Sequence, residues 1–181
     1  MSIFAIYDRA ADRLSALAPL VAPLLARFVF AAVLLFYFWN SALTKIGDGF
    51  LGLFKPSLGA YAQIFPKAME AVGYDASQLN LFHWAVVVAG TVAEFVLPFL
   101  ILVGLFTRLA SIAMIGFVAV QSLTDLYGHG GIAHEGTLGA WFDRIPDAII
   151  LDQRLFWVLG LAVLVLHGGG ILSADRLFRR R

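Results

Sequence analysis

Between Ala85 and Gly104 the sequence AVVVAGTVAEFVLPFLILVG carries one ionisable residue, Glu94, close to its centre. A lone charge at the middle of a membrane helix costs about 2.5–3.5 kcal/mol on insertion scales. The carboxyl must therefore be protonated, paired or hydrated. Two neighbours sharpen its chemistry. Pro98 stands four residues on, and its missing N–H leaves the Glu94 carbonyl without an intrahelical donor. His83 stands eleven residues before Glu94. That is about three helical turns, which puts the histidine on nearly the same face at one mouth of the segment.

Arg27 is the other strongly charged side chain well inside an apolar stretch. At 1.5 Å per residue from one side of a membrane, Arg27 lies about 11 Å deep and Glu94 about 16 Å. An arginine side chain bridges that offset, so the two are expected to pair. Glu94, Arg27, His83 and His167 are the candidates for a proton-carrying or polar-ligand site. Intramembrane ionisable groups are functional candidates by default. The competing reading is a buried pair that only fixes the register of two helices.

Gln121, Asp125 and His129 recur every four residues and share a face if their helix runs that far. With His134 in the following loop, Asp125 and His129 are candidate ligands for a divalent metal. Their spacing matches no sharp metal motif. A hydrated helix end with ordinary loop histidines is the preferred reading, so no metal is expected. His167 precedes three glycines, which permit close helix packing or end a helix. Lys45, after Asn40 and Thr44, reads as an interfacial anchor or an anion site.

No serine–histidine–acid order, phosphate-binding glycine loop or paired-histidine haem pattern stands out, and no covalent cofactor is expected. A haem between His83 and His167 is disfavoured, because they fall near opposite interfaces. The chain has no cysteine. That excludes a dithiol relay, a thiolate metal site and an internal disulfide.

The elements that must hold these residues follow from composition. Hydrophobic residues are 61% of the 181 and charged residues 14%, against about 45–50% and 25% in soluble domains. So little polar surface cannot cover a soluble globule. The formal net charge of +1 argues against a nucleic-acid footprint. A spanning helix needs roughly 20 apolar residues. Four windows qualify: Leu20–Trp39, His83–Leu105, Arg108–Tyr127 and Leu155–Leu172. Lipid offers the backbone no partners, so each is expected to be helical. The expected fold is all-α: a single-domain integral membrane four-helix bundle.

Ahead of the first span, Ile3, Tyr7, Ala10, Leu14 and Leu17 recur at helical spacing with Asp8, Arg9, Asp12 and Arg13 on other faces. This reads as a short amphipathic helix on the membrane surface. Between spans one and two, SLGAYAQIFPKAMEAVG predicts an interfacial helix capped by Ser57 and bent or restarted at Pro66. Arg9, Arg13, Arg108, Arg176, Arg179, Arg180 and Arg181 fall on one side. Lys45, Lys55, Lys67, Arg144 and Arg154 fall on the other. The arginine-rich side is expected to be cytoplasmic, with both termini there.

The order of Arg27, NSALTKI, AEFVLPFLILVGLFTRLA and HGGGILSADRL resembles the DoxX family of small bacterial membrane proteins. Lys45, Glu94, Gly104, Thr107, Arg108, Gly170, Ser173 and Asp175 fit that family's pattern, and Ala42 departs from its usual glycine. The resemblance covers the chain from about Arg27 to Leu177. It implies a four-helix fold in the bacterial inner membrane and a redox-associated subunit that binds or positions a quinone beside a partner oxidoreductase. Two further readings stand beside it. One is a non-catalytic anchor or assembly factor, alone or as a homo-oligomer. The other is metal or small-solute handling at the outer face. Too few polar residues lie in the spans for a wide aqueous pore.

Overall fold

The computed structural model describes residues 2–179, which are helical with no strand among them. Arg180 and Arg181, part of the basic terminal cluster, lie outside the described residues. Four helices are long and apolar enough to cross a membrane: Ile3–Lys45, Leu81–Val103, Thr107–Gly128 and Ile149–His167. The expected four-span bundle is present, with span ends that differ from those read in the sequence.

The first span is the longest. Helix α1 (Ile3–Phe30) passes through one π-type turn, Ala31–Leu35, into α2 (Phe36–Lys45). The amphipathic N-terminal segment is therefore continuous with the span rather than a separate helix. Ser2 caps it by accepting from the Phe4 N–H at 3.2 Å. Pro19 and Pro23 lie inside α1, but the first glycine after Leu20 is Gly47, so nothing ends the helix at Trp39.

Between the spans, α3 (Leu58–Ile64) and α4 (Pro66–Ala71) meet at an elbow. Ser57 caps α3, accepting from the Ala60 N–H at 3.2 Å, and Pro66 restarts the chain at the first position of α4. The elbow lies across the ends of the next two spans that are remote from the turn joining them. The Phe65 ring meets the His83 ring edge-on at 4.7 Å, and His129 Nε2 hydrogen-bonds the Gln63 carbonyl at 2.9 Å.

The second span is α5 (Leu81–Val103), capped by Asn80 and ended by Gly104 in the left-handed region. The third, α6 (Thr107–Leu123), finishes in a π-type turn, Thr124–Gly128. After α7 (Glu135–Leu138), the fourth span opens with a π-type stretch, Ile149–Arg154, and continues as α8 (Leu155–His167). It stops at Gly168 (φ 75°) rather than running to Leu172. A glycine turn then leads to the short α9 (Ala174–Arg179).

The spans form a closed ring. Helix α1 packs on α8, α8 on α6, α6 on α5, and α5 on α2. The first span thus changes partner halfway, from the fourth span to the second. The π-type turn supplies the change, because one extra residue rotates the downstream face by about 100°. Phe30, Leu34, Phe38, Ile101, Met114, Val118, Leu161 and Leu164 fill the core. Phe28, Leu109, Phe156 and Leu166 face outward, as a lipid solvent requires.

Candidate functional site

Glu94 does not pair with Arg27. Its partner is Lys45, at the last turn of α2. Lys45 Nζ lies 2.9 Å from Glu94 Oε2 and 3.1 Å from Oε1. Both residues are buried, at 3% and 4% exposure. Ser41 completes the cluster: its hydroxyl donates to Glu94 Oε1 at 3.0 Å and accepts from Lys45 Nζ at 2.7 Å. The Ser41 carbonyl also accepts from Nζ at 3.2 Å. Helical side chains lean toward the N-terminus, so a lysine at the end of α2 reaches back one turn, to Ser41, and meets Glu94 there.

Arg27 sits level with the C-terminal turn of α5, because its helix begins at Ile3 and Leu20 does not mark the end of the span. Its guanidinium caps the C-terminus of α5. Nε donates to the Ile101 carbonyl at 3.0 Å and Nη2 to the Leu102 carbonyl. Nη1 reaches the Gly169 carbonyl at 2.9 Å and the Leu172 carbonyl at 2.6 Å. A cation at orphaned helix-end carbonyls is favourable. Asp175 answers it at the start of α6, accepting from the Phe106 N–H at 2.7 Å, the Thr107 N–H at 2.9 Å and the Thr107 hydroxyl at 2.7 Å. The turn between α5 and α6 is thus clamped by two side chains from distant parts of the chain. Gly104 (φ 70°) is required there, since a Cβ would stand 2.6 Å from Ser173 Cβ and 2.9 Å from Arg27 Cζ.

The Lys45–Glu94 pair forms part of the wall of a cavity of about 520 Å³ between α5 and α6. Small residues make the room: Ala89, Gly90 and Ala93 on α5, Ala113 and Gly116 on α6. Gln63 and Ile64 of the elbow close it from above, and Leu97, Phe117 and Val120 add apolar wall. Its other polar lining is Gln121, Thr124 and Asp125. The Gln121 amide donates to the Tyr37 hydroxyl at 3.0 Å, but its Oε1 is buried with no donor among the described residues. The cavity has a buried ion pair in its wall and a few other polar residues within a largely apolar lining. That suits an amphipathic molecule with a hydrogen-bonding head.

The remaining candidates scatter. His83 packs on Phe65 and bonds Asn80 Oδ1 through Nδ1 at 2.8 Å. It lies at the N-terminal end of α5 and does not line the cavity. His167 is at the opposite end of the bundle, with Nδ1 3.1 Å from the Val163 carbonyl. Asn40 is exposed on α2. The metal triad is not assembled. Asp125 pairs with Arg154, His129 bonds the Gln63 carbonyl, and His134 is exposed. No three of histidine, cysteine, aspartate or glutamate gather among the described residues. The π-type turn at Thr124–Gly128 breaks the four-residue spacing on which the triad relied.

Arg154 was expected as an outer-flank charge, yet it is 4% exposed. It bonds Ser122 Oγ at 2.9 Å and Asp125 Oδ2 at 2.5 Å, with the guanidinium carbon 5.9 Å from the Trp157 ring centre. No sequence signal separates it from the exposed Arg144 nearby. Lys45 did carry one: no proline or glycine intervenes between Leu24 and Gly47, so the lysine still belongs to the span.

Comparison with protein-family models, with curated proteins and with solved structures finds no match to this chain.

Proposed function

We propose that the protein is a membrane subunit that binds a quinone-class molecule between α5 and α6, with the ring at the Lys45–Glu94 pair and the isoprenoid tail along the apolar wall. One observation carries the reading: a largely apolar cavity of about 520 Å³ between α5 and α6 has the hydrogen-bonded Lys45–Glu94 pair in its wall. Lys45 would reach a ring carbonyl by giving up its bond to the Ser41 carbonyl, the longest of its four at 3.2 Å. Glu94 suits a ring hydroxyl, since a carboxylate has acceptor sites beyond those that Lys45 and Ser41 use. Glu94 suits the exchange of a proton with that hydroxyl, because a carboxylate that already shares a lysine needs little rearrangement to shift between partners.

The chain has no cysteine. Electrons to or from a bound quinone would therefore belong to a partner oxidoreductase, and this subunit would hold the quinone and handle its proton.

The test is extraction of the parent and of Gly116→Leu in mild detergent, followed by mass spectrometry of co-purifying small molecules and polypeptides. A Cβ at Gly116 meets nothing within 4 Å, so a leucine there grows into open space. A quinone retained by the parent and lost from Gly116→Leu supports the reading. A parent that carries no quinone, even after incubation with excess quinone, defeats it. A stoichiometric polypeptide without quinone would favour the anchor reading instead.

A further inference from the structure

A second cavity, of about 780 Å³, opens at the other end of the bundle, beside the clamped α5–α6 turn. It is lined by Arg108 at the start of α6, Arg176 on α9, His167 at the end of α8 and the run Gly168–Gly170. Leu105, Leu109, Ile171 and Phe178 add apolar wall. Arg108 and Arg176 are exposed, and neither side chain makes a hydrogen bond or ion pair among the described residues. The one acid in the lining, Asp175, already accepts from Phe106 and Thr107. The backbone N–H groups of Gly169 and Gly170 also have no acceptor among the described residues. The cavity therefore presents two guanidinium groups with no side-chain partner among the described residues, next to exposed hydrocarbon.

We propose that this cavity seats the headgroup of an anionic phospholipid. The phosphate would sit between Arg108 and Arg176, with its acyl chains along Leu109 and Phe178. Charge complementarity selects the headgroup, since arginine forks match phosphate oxygens in pairs. The adjoining apolar side chains select a lipid over a free anion: Leu109 is 67% and Phe178 70% exposed, and a soluble phosphate leaves both uncovered. Basic cavities between spanning helices on the arginine-rich side are suited to such lipids. The site is separate from the α5–α6 cavity and stands or falls independently of the quinone reading. A lipid bound here would bridge α6, α8 and α9 at the turn that Arg27 and Asp175 clamp.

The experiment uses the full chain, delipidated in detergent and titrated with phosphatidylglycerol or with phosphatidylcholine while adducts are counted by native mass spectrometry. The parent is expected to prefer phosphatidylglycerol. Arg108→Gln combined with Arg176→Gln is expected to weaken that preference about thirtyfold, at roughly fivefold for each arginine. Arg108→Lys with Arg176→Lys keeps both charges and should retain most of it. Neither arginine holds another residue, so all variants should melt with the parent. Equal binding of the two lipids by the parent would overturn the proposal, and so would an unchanged preference in the double glutamine variant. Millimolar inorganic phosphate should leave the adduct in place; displacement by phosphate alone would mean an anion site and not a lipid site.

Discussion

Lys45 and Glu94 tie the last turn of the first span to the middle of the second through a buried ion pair, Nζ to Oε2 at 2.9 Å. Their side chains are 4% and 5% exposed, and Ser41 bonds both. Every polar atom of the pair is satisfied, which is the condition under which a buried pair is tolerated.

Removing either partner alone leaves a charge in hydrocarbon. Lys45→Met and Glu94→Gln should each cost about 3–5 kcal/mol, and the double variant clearly less than their sum. Arg27→Met with Glu94→Gln should be additive, because the two share no hydrogen-bond partner. Thermal melts in detergent give both cycles. Coupling in the second and none in the first would reverse the assignment.

The Lys45–Glu94 pair also separates chemistry from scaffolding. Lys45→Met with Glu94→Gln removes both charges and keeps much of the volume, so it should retain the bundle and lose quinone binding. Complementation of a deletion strain, read beside a melt, tests it. Full growth with a parental melt would show that the pair serves only to hold the helices.

Filling the cavity should be cheap. Gly116→Leu replaces a helix-interior glycine, which is about 0.8–1.0 kcal/mol less favourable than alanine, and meets no atom within 4 Å. The variant should melt at or above the parent temperature while losing any bound quinone. A drop in melting temperature would mean that α5 and α6 close on each other at this level.

The α5–α6 turn should be the least forgiving surface position. Gly104→Ala forces a Cβ into a left-handed backbone, at about 1–2 kcal/mol for the conformation alone, and into the Ser173 contact at 2.6 Å. Asp175→Ala uncaps α6 at about 0.5–2 kcal/mol. The two residues serve one turn, so the combined loss should fall short of the sum, as a denaturation series would report.

Both termini should report from one side of the membrane. Reporter fusions after Phe106 and at the C-terminus should agree, and fusions near Lys55 and Thr137 should give the opposite signal. Four antiparallel spans require that pattern, and the arginine distribution predicts that the first side is cytoplasmic. A C-terminal reporter agreeing with Lys55 would remove one span.

The four spans are legible in the sequence because each is a long apolar run, and lipid leaves the backbone no other choice. The cap at Ser57 and the restart at Pro66 are legible because serine and proline act locally. The partner of Glu94 is not. Depth counting needs a common origin, and Arg27 was measured from Leu20 although its helix begins at Ile3. The three π-type segments are equally silent. Each inserts a residue into the helical count, so Asp125 turns to Arg154 instead of stacking with His129. The cavity is hidden for a further reason: small residues such as Ala93 and Gly116 read as close-packing positions, and only tertiary placement shows that they hold space.

The turn at Ala31–Leu35 also constrains how this chain can evolve. Upstream of it, Arg27 must meet the carbonyls of Ile101 and Gly169; downstream, Lys45 must meet Glu94. One residue gained or lost between them swings the downstream anchor by about 100° and shifts it about 1.5 Å. Descendants of this sequence can exchange lipid-facing residues such as Val33 and Phe36 freely, but they cannot change the number of residues from Arg27 to Lys45. An alignment of true relatives should be ungapped across that interval, with insertions confined to the segments that join the spans.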